Sequence, residues 1–344
     1  MGDGLRPEHP APISRDPVII LPYLGYGTAR KLTVCGRVLE DEGFRPADTA
    51  DGRWRNLIQF WKRLESDEVP GARVRAGKVE AVTDREGYFQ LELHGSFRAG
   101  WNEVELELVH PTEAKAIARA LVPDKKAKFG LISDIDDTVV YSNVTRKLRM
   151  VFTAALSNAR TRKPFKGVAA FYRALHAGVN PVFYVSKSPW NLFAPIVEYL
   201  EVQGLPQGPV LLRDFGLRRE KEHKRKTIEH ILGTYPALKF VLSGDSGEQD
   251  PEIYADIVRR FPDRIRAIYI RSVNTKRISE IQNLAAEVAK TGCQLILAPE
   301  AEAAAMHAAA EGLIQTSELR AVRSERVSDE SRPSNPAAST GGLK

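Results

Sequence analysis

The segment Phe129-Gly-Leu-Ile-Ser-Asp134-Ile-Asp136-Asp137-Thr138 limits the fold more than any other stretch of the 344-residue chain. An apolar run of strand length passes directly into three carboxylates. Like charges a few ångströms apart repel and raise one another's pKa, so such a cluster calls for a cation, a shared proton or wide solvent exposure. Mg²⁺, a hard cation with a preference for oxygen ligands, is the obvious neutraliser. The arrangement suits the carboxyl end of a buried parallel strand, because ligands of open α/β sheets bind at that edge. Taken alone, the acids read equally well as a solvated turn.

The pattern downstream is of the same class. Short apolar runs at 130–133, 182–185, 210–212, 240–242, 267–270 and 295–297 read as buried parallel strands. Segments of helical length fall between them, around 168–176, 192–203, 224–232, 251–261, 278–290 and 301–312. This alternation predicts α/β architecture. Upstream, from Val18 to about Val122, period two dominates, as in 31–38, 88–93 and 103–108, with turn signals at 84–87 and 98–102. A helical face of Leu57, Ile58, Trp61 and Leu64 interrupts the series, so a small β-sandwich-like domain with one inserted helix is expected. The expected organisation is a flexible arm over 1–16, a β-rich domain over 17–123, an α/β domain over 124–315 and a disordered tail over 316–344, where aromatics vanish.

Fifty Lys and Arg against 44 Asp and Glu leave a formal charge of +6, a mild preference for anionic partners. The basic residues are scattered among acids without a reading motif, so no nucleic-acid partner is expected. Cys35 and Cys293 lie far apart and in no Cys-x-x-Cys spacing, which indicates neither a disulfide framework nor a structural zinc site. A reducing, cytoplasmic compartment is the expectation. No apolar run approaches the roughly 20 residues that cross a bilayer, so any membrane contact is peripheral. Residues 1–16 resemble neither a secretory signal nor a transit peptide.

A second cluster repeats the logic of the first. Phe240-Val-Leu-Ser-Gly244-Asp245-Ser246-Gly247-Glu248-Gln249-Asp250-Pro251 places Asp245 just past another buried strand, in a glycine-flanked turn. Asp250 precedes Pro251 as an N-cap precedes proline at the first helical position. Ser186 ends a third apolar run, and Lys224 opens the helical stretch 224–232, although Lys221, Arg225 and Lys226 beside it also read as a solvated basic face. Together these groups suit phosphoryl transfer. A carboxylate can attack phosphorus, and a second carboxyl two residues on can protonate the leaving alkoxide and then deprotonate water. A hydroxyl, a lysine and Mg²⁺ can hold the equatorial phosphoryl oxygens.

The set Asp134-x-Asp136-x-Thr138, Ser186, Lys224 and Gly244-Asp245-x4-Asp250 resembles the four motifs of haloacid-dehalogenase (HAD) superfamily phosphatases. More narrowly, Ser186-Lys-Ser-Pro189-Trp190-Asn191, Leu211-Leu-Arg213-Asp214, His223-Lys224-x3-Ile228 and Gly244-Asp-Ser-Gly-x-x-Asp250-Pro251-Glu252-Ile253-Tyr254 are similar to the actin-patch-type phosphatidate phosphatase catalytic domain. The resemblance covers roughly 128–314 and touches the N-terminal region through Pro22-Tyr-Leu-Gly-Tyr-Gly27 and Gly36-Arg37-Val38. It implies a HAD-like Rossmannoid parallel sheet with helices on both faces. By motif, it implies Asp134 as nucleophile, Asp136 as acid/base and Thr138 as support for the turn, with Ser186 and Lys224 binding the phosphoryl group. Mg²⁺ would be held by Asp134, the Asp136 backbone carbonyl and Asp245, with Asp250 behind them. Ser188, Arg213 and Asp214 are substrate-binding candidates, although Asp214 reads equally well as a helix cap. The implied reaction is Mg²⁺-dependent hydrolysis of phosphatidate to diacylglycerol and phosphate. Lys187 departs from the family, where a small polar residue is expected.

Two other readings stay open. The same motifs serve a phosphatase of soluble phosphomonoesters or phosphoproteins, since they read a phosphoryl group and say little about its carrier. A membrane- or protein-binding adaptor with vestigial acids is the alternative from another class, and the intact Asp134/Asp136 pair argues against it. The insertion 139–166 interleaves Arg146, Lys147, Arg149, Arg160, Arg162, Lys163 and Lys166 with apolar residues. It reads either as a flap meeting an anionic membrane or as an ordinary amphipathic helix. Trp190 is expected to pack at a helix start, and His307 to be an ordinary helical residue.

Overall fold

The computed structural model describes residues 17–40, 68–135, 167–213 and 220–331. The chain divides into two compact units between Val122 and Pro123.

The N-terminal unit contains β1 (Val18–Pro22), β2 (Leu24–Gly27), β3 (Lys31–Glu40), β4 (Arg73–Ala76), β5 (Val79–Val82), β6 (Tyr88–His94), β7 (Gly100–His110) and β8 (Ala114–Val122). Alternation decides which face is buried. In β6, Phe89, Leu91 and Leu93 enter the core while Gln90, Glu92 and His94 stay exposed. The turn before β6 forms because the Asp84 carboxylate accepts the N–H groups of Glu86 and Tyr88, and Gly87 supplies a φ of 76°.

β1 and β2 lie end to end along one edge of β3, and the register shifts by one residue between Pro22↔Gly36 and Tyr26↔Thr33. β6 pairs with the other edge of β3, and the sheet continues from β2 through β8, β7 and β4 to β5. β5 in turn approaches β6, so the sheet curls around one core that includes Leu32, Val34, Leu91 and Leu106. Each such buried leucine contributes roughly 1.5–3 kcal/mol by transfer from water. The expected helix carrying Leu57, Ile58, Trp61 and Leu64 lies outside the described residues.

The second unit is mixed α/β. Its strands are β9 (Gly130–Asp134), β10 (Val182–Pro189), β11 (Val210–Arg213), β12 (Phe240–Asp245), β13 (Ile265–Arg271) and β14 (Leu295–Ala298). They form one parallel sheet in the order β11-β10-β9-β12-β13-β14. The chain starts in the middle at β9, adds β10 and β11 on one side, and then returns to add β12 to β14 on the other. The direction of winding therefore reverses between β9 and β12, and a crevice opens at the carboxyl ends of strands at such a switch point. The helices are α1 (Val168–His176), α2 (Phe193–Val202), α3 (Glu220–Thr234), α4 (Asp250–Arg260), α5 (Ile278–Ala289), α6 (Ala301–Ala310) and α7 (Glu318–Ser331). All six expected strands and the six expected helices are present at their places. Among the described residues, no helix is long and apolar enough to cross a membrane.

α7 corrects the expectation of a disordered tail from 316. It packs against α1 and α6, burying Val322, and Arg323 and Arg326 pair with Glu302. Composition misled because one valine and a set of ion pairs anchor the helix where an apolar stripe would ordinarily do so. α7 also completes α1, whose N-cap Gly167 offers no side chain. Asp329 accepts the Gly167 N–H at 3.0 Å and Glu325 accepts that of Ala170 at 2.9 Å. Carboxylates thus meet the positive end of the helix from another element. Residues 332–344 lie outside the described residues.

Candidate active site

β9, β10 and β12 are neighbours, with Val185 opposite Asp134 and Ser243 opposite Ser133. Asp134 therefore ends β9, Ser186 stands one residue past it on β10, and Asp245 two residues past Ser243 on β12. The register alone brings the three motifs to the centre of the sheet's carboxyl edge.

Lys224 reaches this edge from α3. Its Nζ lies 2.8 Å from Asp134 Oδ1 and 2.5 Å from Asp250 Oδ1, and donates to Glu248 Oε2 at 3.4 Å. The side chains of Lys224, Asp134 and Asp250 are only 1%, 2% and 0% exposed. Desolvating an ion costs several kcal/mol, so a dry ammonium needs this surround of acceptors. Its neighbours behave as the surface face the basic run suggested: Arg225 pairs with Glu222 and Glu229, and Lys226 with Glu222. Carboxylate oxygens of Asp134, Glu248 and Asp250 lie within 4.8 Å of one another, a hard-oxygen donor set of the kind a divalent cation takes.

Asp250 does not act as the expected N-cap. α4 begins at Asp250 itself, after Gln249, with Pro251 in its first turn. Its carboxylate turns back to the strand end, where Oδ2 accepts the Asp245 N–H at 3.1 Å while Oδ1 meets Lys224. A charge-assisted bond to an ammonium outweighs a cap on its own helix. This contact explains Gly244, because a Cβ there would lie 2.3 Å from Asp250 Oδ2. Asp245 is buried beside the acid group, and its Oδ1 accepts the N–H groups of Gly247 at 2.7 Å and Glu248 at 3.2 Å. The turn is tied from outside as well. Ser246 Oγ accepts the N–H groups of Val273 and Asn274, both at 2.9 Å. The Arg277 guanidinium donates to the carbonyls of Ser246 at 3.1 Å and Glu248 at 2.5 Å, and pairs with Glu252 and Glu280.

Ser186 is fully buried, and its Oγ accepts the Ser188 N–H at 3.0 Å. Ser188 Oγ and Asn191 Oδ1 are buried without a hydrogen-bond partner among the described residues, so polar atoms at this end of β10 have capacity left for a ligand. Arg213 ends β11 opposite Pro189, one strand outside β10 and apart from the acid group. Asp136, Thr138, Asp214 and the insertion 139–166 lie outside the described residues. Trp190 stacks loosely near Phe193, with ring centroids 6.3 Å apart. His307 bonds Tyr269 and Gln294.

Several residues escaped sequence reasoning. Glu248, which the sequence reading gave no role, is the third acid around Lys224. Beneath the site, the Tyr172 hydroxyl of α1 lies 2.8 Å from Ser133 Oγ and donates to Ser243 Oγ at 2.8 Å, joining the two strands that carry Asp134 and Asp245. Tyr254 of α4 donates to the Ser243 carbonyl at 2.9 Å. Burial raises the pKa of Tyr172, the bonds to Ser133 and Ser243 pull it down, and Asp134 pushes it up again. Burial, followed by the charge of Asp250, holds Tyr254 well above the ordinary phenol value. The available signal was the serine one or two residues before each strand-end acid.

Residues 129–272 match the family model described as phosphatidate phosphatase APP1, catalytic domain. The phosphatidate phosphatase APP1 of Saccharomyces cerevisiae is 37% identical over 218 residues, which cover 60% of this chain and 37% of that protein. An uncharacterised protein of Schizosaccharomyces pombe is 29% identical over 210 residues, covering 57% of this chain and 35% of its own. The chain thus spans little more than a third of the length of these curated relatives. Among solved structures, the PilB minor pilin of Streptococcus sanguinis aligns at 10% identity over 90% of this chain and 94% of its own, with a TM-score of 0.28, too low to assign a fold. The family match runs from the start of β9 to just past β13 and takes in Asp134, Ser186, Lys224, Asp245, Glu248 and Asp250. Residues 129–272 are therefore similar to the phosphatidate phosphatase APP1 catalytic domain.

Proposed function

We propose that this chain is a Mg²⁺-dependent phosphatase that hydrolyses phosphatidate to diacylglycerol and phosphate through an aspartyl-phosphate. In this reading the second unit is a HAD-like Rossmannoid domain, and the first is a β-sandwich-like module. The observation that carries the reading is the dry Asp134–Lys224–Asp250 group at the switch point of the sheet. An Asp134 carboxylate oxygen attacks phosphorus and the bond to the glycerol oxygen breaks, while Asp136 gives its proton to that oxygen. Water then attacks phosphorus, Asp136 takes its proton, and the bond to Asp134 breaks to release phosphate. Ser186 and Lys224 hold the phosphoryl oxygens as charge moves between them. Lys224 also aims the nucleophile, and Asp250 fixes Lys224.

Mg²⁺, when bound, neutralises charge between the nucleophile and the phosphoryl oxygens. Asp134, Asp136 and Asp245 would hold it, with Asp250 behind them, and Glu248 is a further acid of the same group. The matching relative's name supplies the lipid substrate, and the insertion 139–166 supplies a basic–apolar stretch suited to peripheral contact with an anionic cytoplasmic membrane.

The test is phosphate release from phosphatidate in mixed micelles, with and without Mg²⁺, for the wild type and Asp134→Asn, beside a soluble aryl phosphate. Metal-dependent turnover of phosphatidate that vanishes in the variant is expected. Turnover of the aryl phosphate alone would move the search to soluble esters or phosphoproteins. Silence on both would favour the adaptor reading.

A further inference from the structure

We propose that Lys187 is a second phosphoryl-binding cation, parked on Glu248 in the free protein and passed to the substrate's phosphoryl oxygens on binding. The proposal deepens the phosphatase reading and rests on it for the nature of the ester. Lys187 follows Ser186 directly, and its Nζ lies 2.5 Å from Glu248 Oε2, the same oxygen that accepts from Lys224 at 3.4 Å. Two lysines thus share one carboxylate oxygen, one buried and one reached by water.

Their surroundings differ. Lys224 is dry and already shared by Asp134 and Asp250, so although it can hold a phosphoryl oxygen it adds little net attraction for an arriving dianion. Lys187 and Glu248 are 27% and 25% exposed, at the wet rim. A phosphomonoester approaching Ser186 meets Asp134, Asp245, Glu248 and Asp250, one negative charge more than the inner lysine and a single divalent cation offset. An ion pair reached by water is weakly held, and a lysine stem is long and flexible, so Lys187 can exchange partners. Glu248 is the fixed half: its carbonyl accepts from Arg277 and its N–H donates to Asp245. When Lys187 leaves, Glu248 keeps its contact with Lys224 and stays open to water, so its charge is not buried alone.

The experiment is calorimetric titration of inorganic phosphate into the full-length chain in Mg²⁺ buffer, for wild type, Lys187→Ala, Lys187→Gln and Lys187→Arg. Lys187→Gln keeps a donor for Glu248 but no charge, and thermal unfolding by circular dichroism identifies which variants are folded. The account expects Ala and Gln to weaken phosphate at least about fivefold, as loss of a charge-assisted bond should, and Arg to restore it. A smaller change in the folded neutral variants, or no phosphate binding by the wild type, overturns it. Lys187-dependent phosphate binding without turnover of either ester would sink the phosphatase reading and leave this anion site standing. Turnover with Lys187-independent binding would do the reverse.

Discussion

On the curled N-terminal sheet, Glu107 lies between Arg75 at 2.6 Å and Lys115 at 2.9 Å, with side chains 32%, 40% and 75% exposed. At the end of β9, Lys224 lies between Asp134 and Asp250 at similar distances and is shut away from water. The chemistry is the same and the consequences are opposite. Glu107 faces Lys115 and Arg75 across antiparallel ladders, where such pairs tune strand register and are screened by salt. In the parallel sheet every member of the buried group has lost its hydration, so removal of one leaves the others uncompensated. A fold that needed only stability would fill that space with apolar side chains. Charges held dry at a switch point make this group the candidate for chemistry.

The largest effect should come from breaking the buried group. Lys224→Met should abolish phosphate release and lower stability by roughly 3–5 kcal/mol in urea unfolding, because two buried carboxylates lose their counter-ion. Retention of full stability would mean the group is wetter than described. Gly244→Ala puts a methyl against the Asp250 carboxylate without touching any charge. An overpacking cost of about 1–3 kcal/mol is expected, together with slowed turnover, and an unchanged urea midpoint would contradict the contact.

Tyr172→Phe removes the hydroxyl between β9 and β12. A loss of about 1 kcal/mol is expected in the same assay, with phosphate affinity unchanged. The smallest effect belongs to the exposed trio, and its signature is pH. Hydrogen bonds from Arg75 and Lys115, reinforced by their charges, lower the Glu107 pKa from 4.5 to about 2. A depressed folded-state pKa contributes stability above the unfolded value and loses it as pH falls through the folded one. The small difference in urea midpoint between wild type and Glu107→Gln should therefore exist near neutral pH and close between pH 4.5 and about 2. Concentrated salt should shrink it too, whereas the Lys224→Met deficit should survive. A salt-sensitive Lys224 and a salt-blind Glu107 would invert the comparison.

The same contrast explains how far the sequence could be read. Parallel strands buried on both faces appear as bare apolar runs, so β9 to β14 were legible to within a few residues, and the acids after β9 and β12 marked the site. The half-buried strands showed their period but not their path. Nothing local to Tyr23 announces that β1 and β2 share one edge of β3 across a register shift. α7 was illegible because it is held by ion pairs to Glu302 and by its own acids on α1. Within the candidate site, one residue type at a motif position singled out Asp134, Ser186 and Lys224, which the structure brings to one sheet edge. Glu248 acquires its place from a turn folded around Asp245 and clamped by Arg277, a long-range contact that no spacing encodes.

The most direct measurement is of the bond the account requires at Asp134. Enzyme turning over phosphatidate would be acid-quenched and reduced with tritiated borohydride, which turns an aspartyl-phosphate into homoserine and releases phosphate, and the labelled residue would be mapped by peptide mass spectrometry. The account predicts tritium-labelled homoserine at position 134 that is missing in Asp134→Asn. Sustained turnover by that variant, or a label on any other residue, would contradict it.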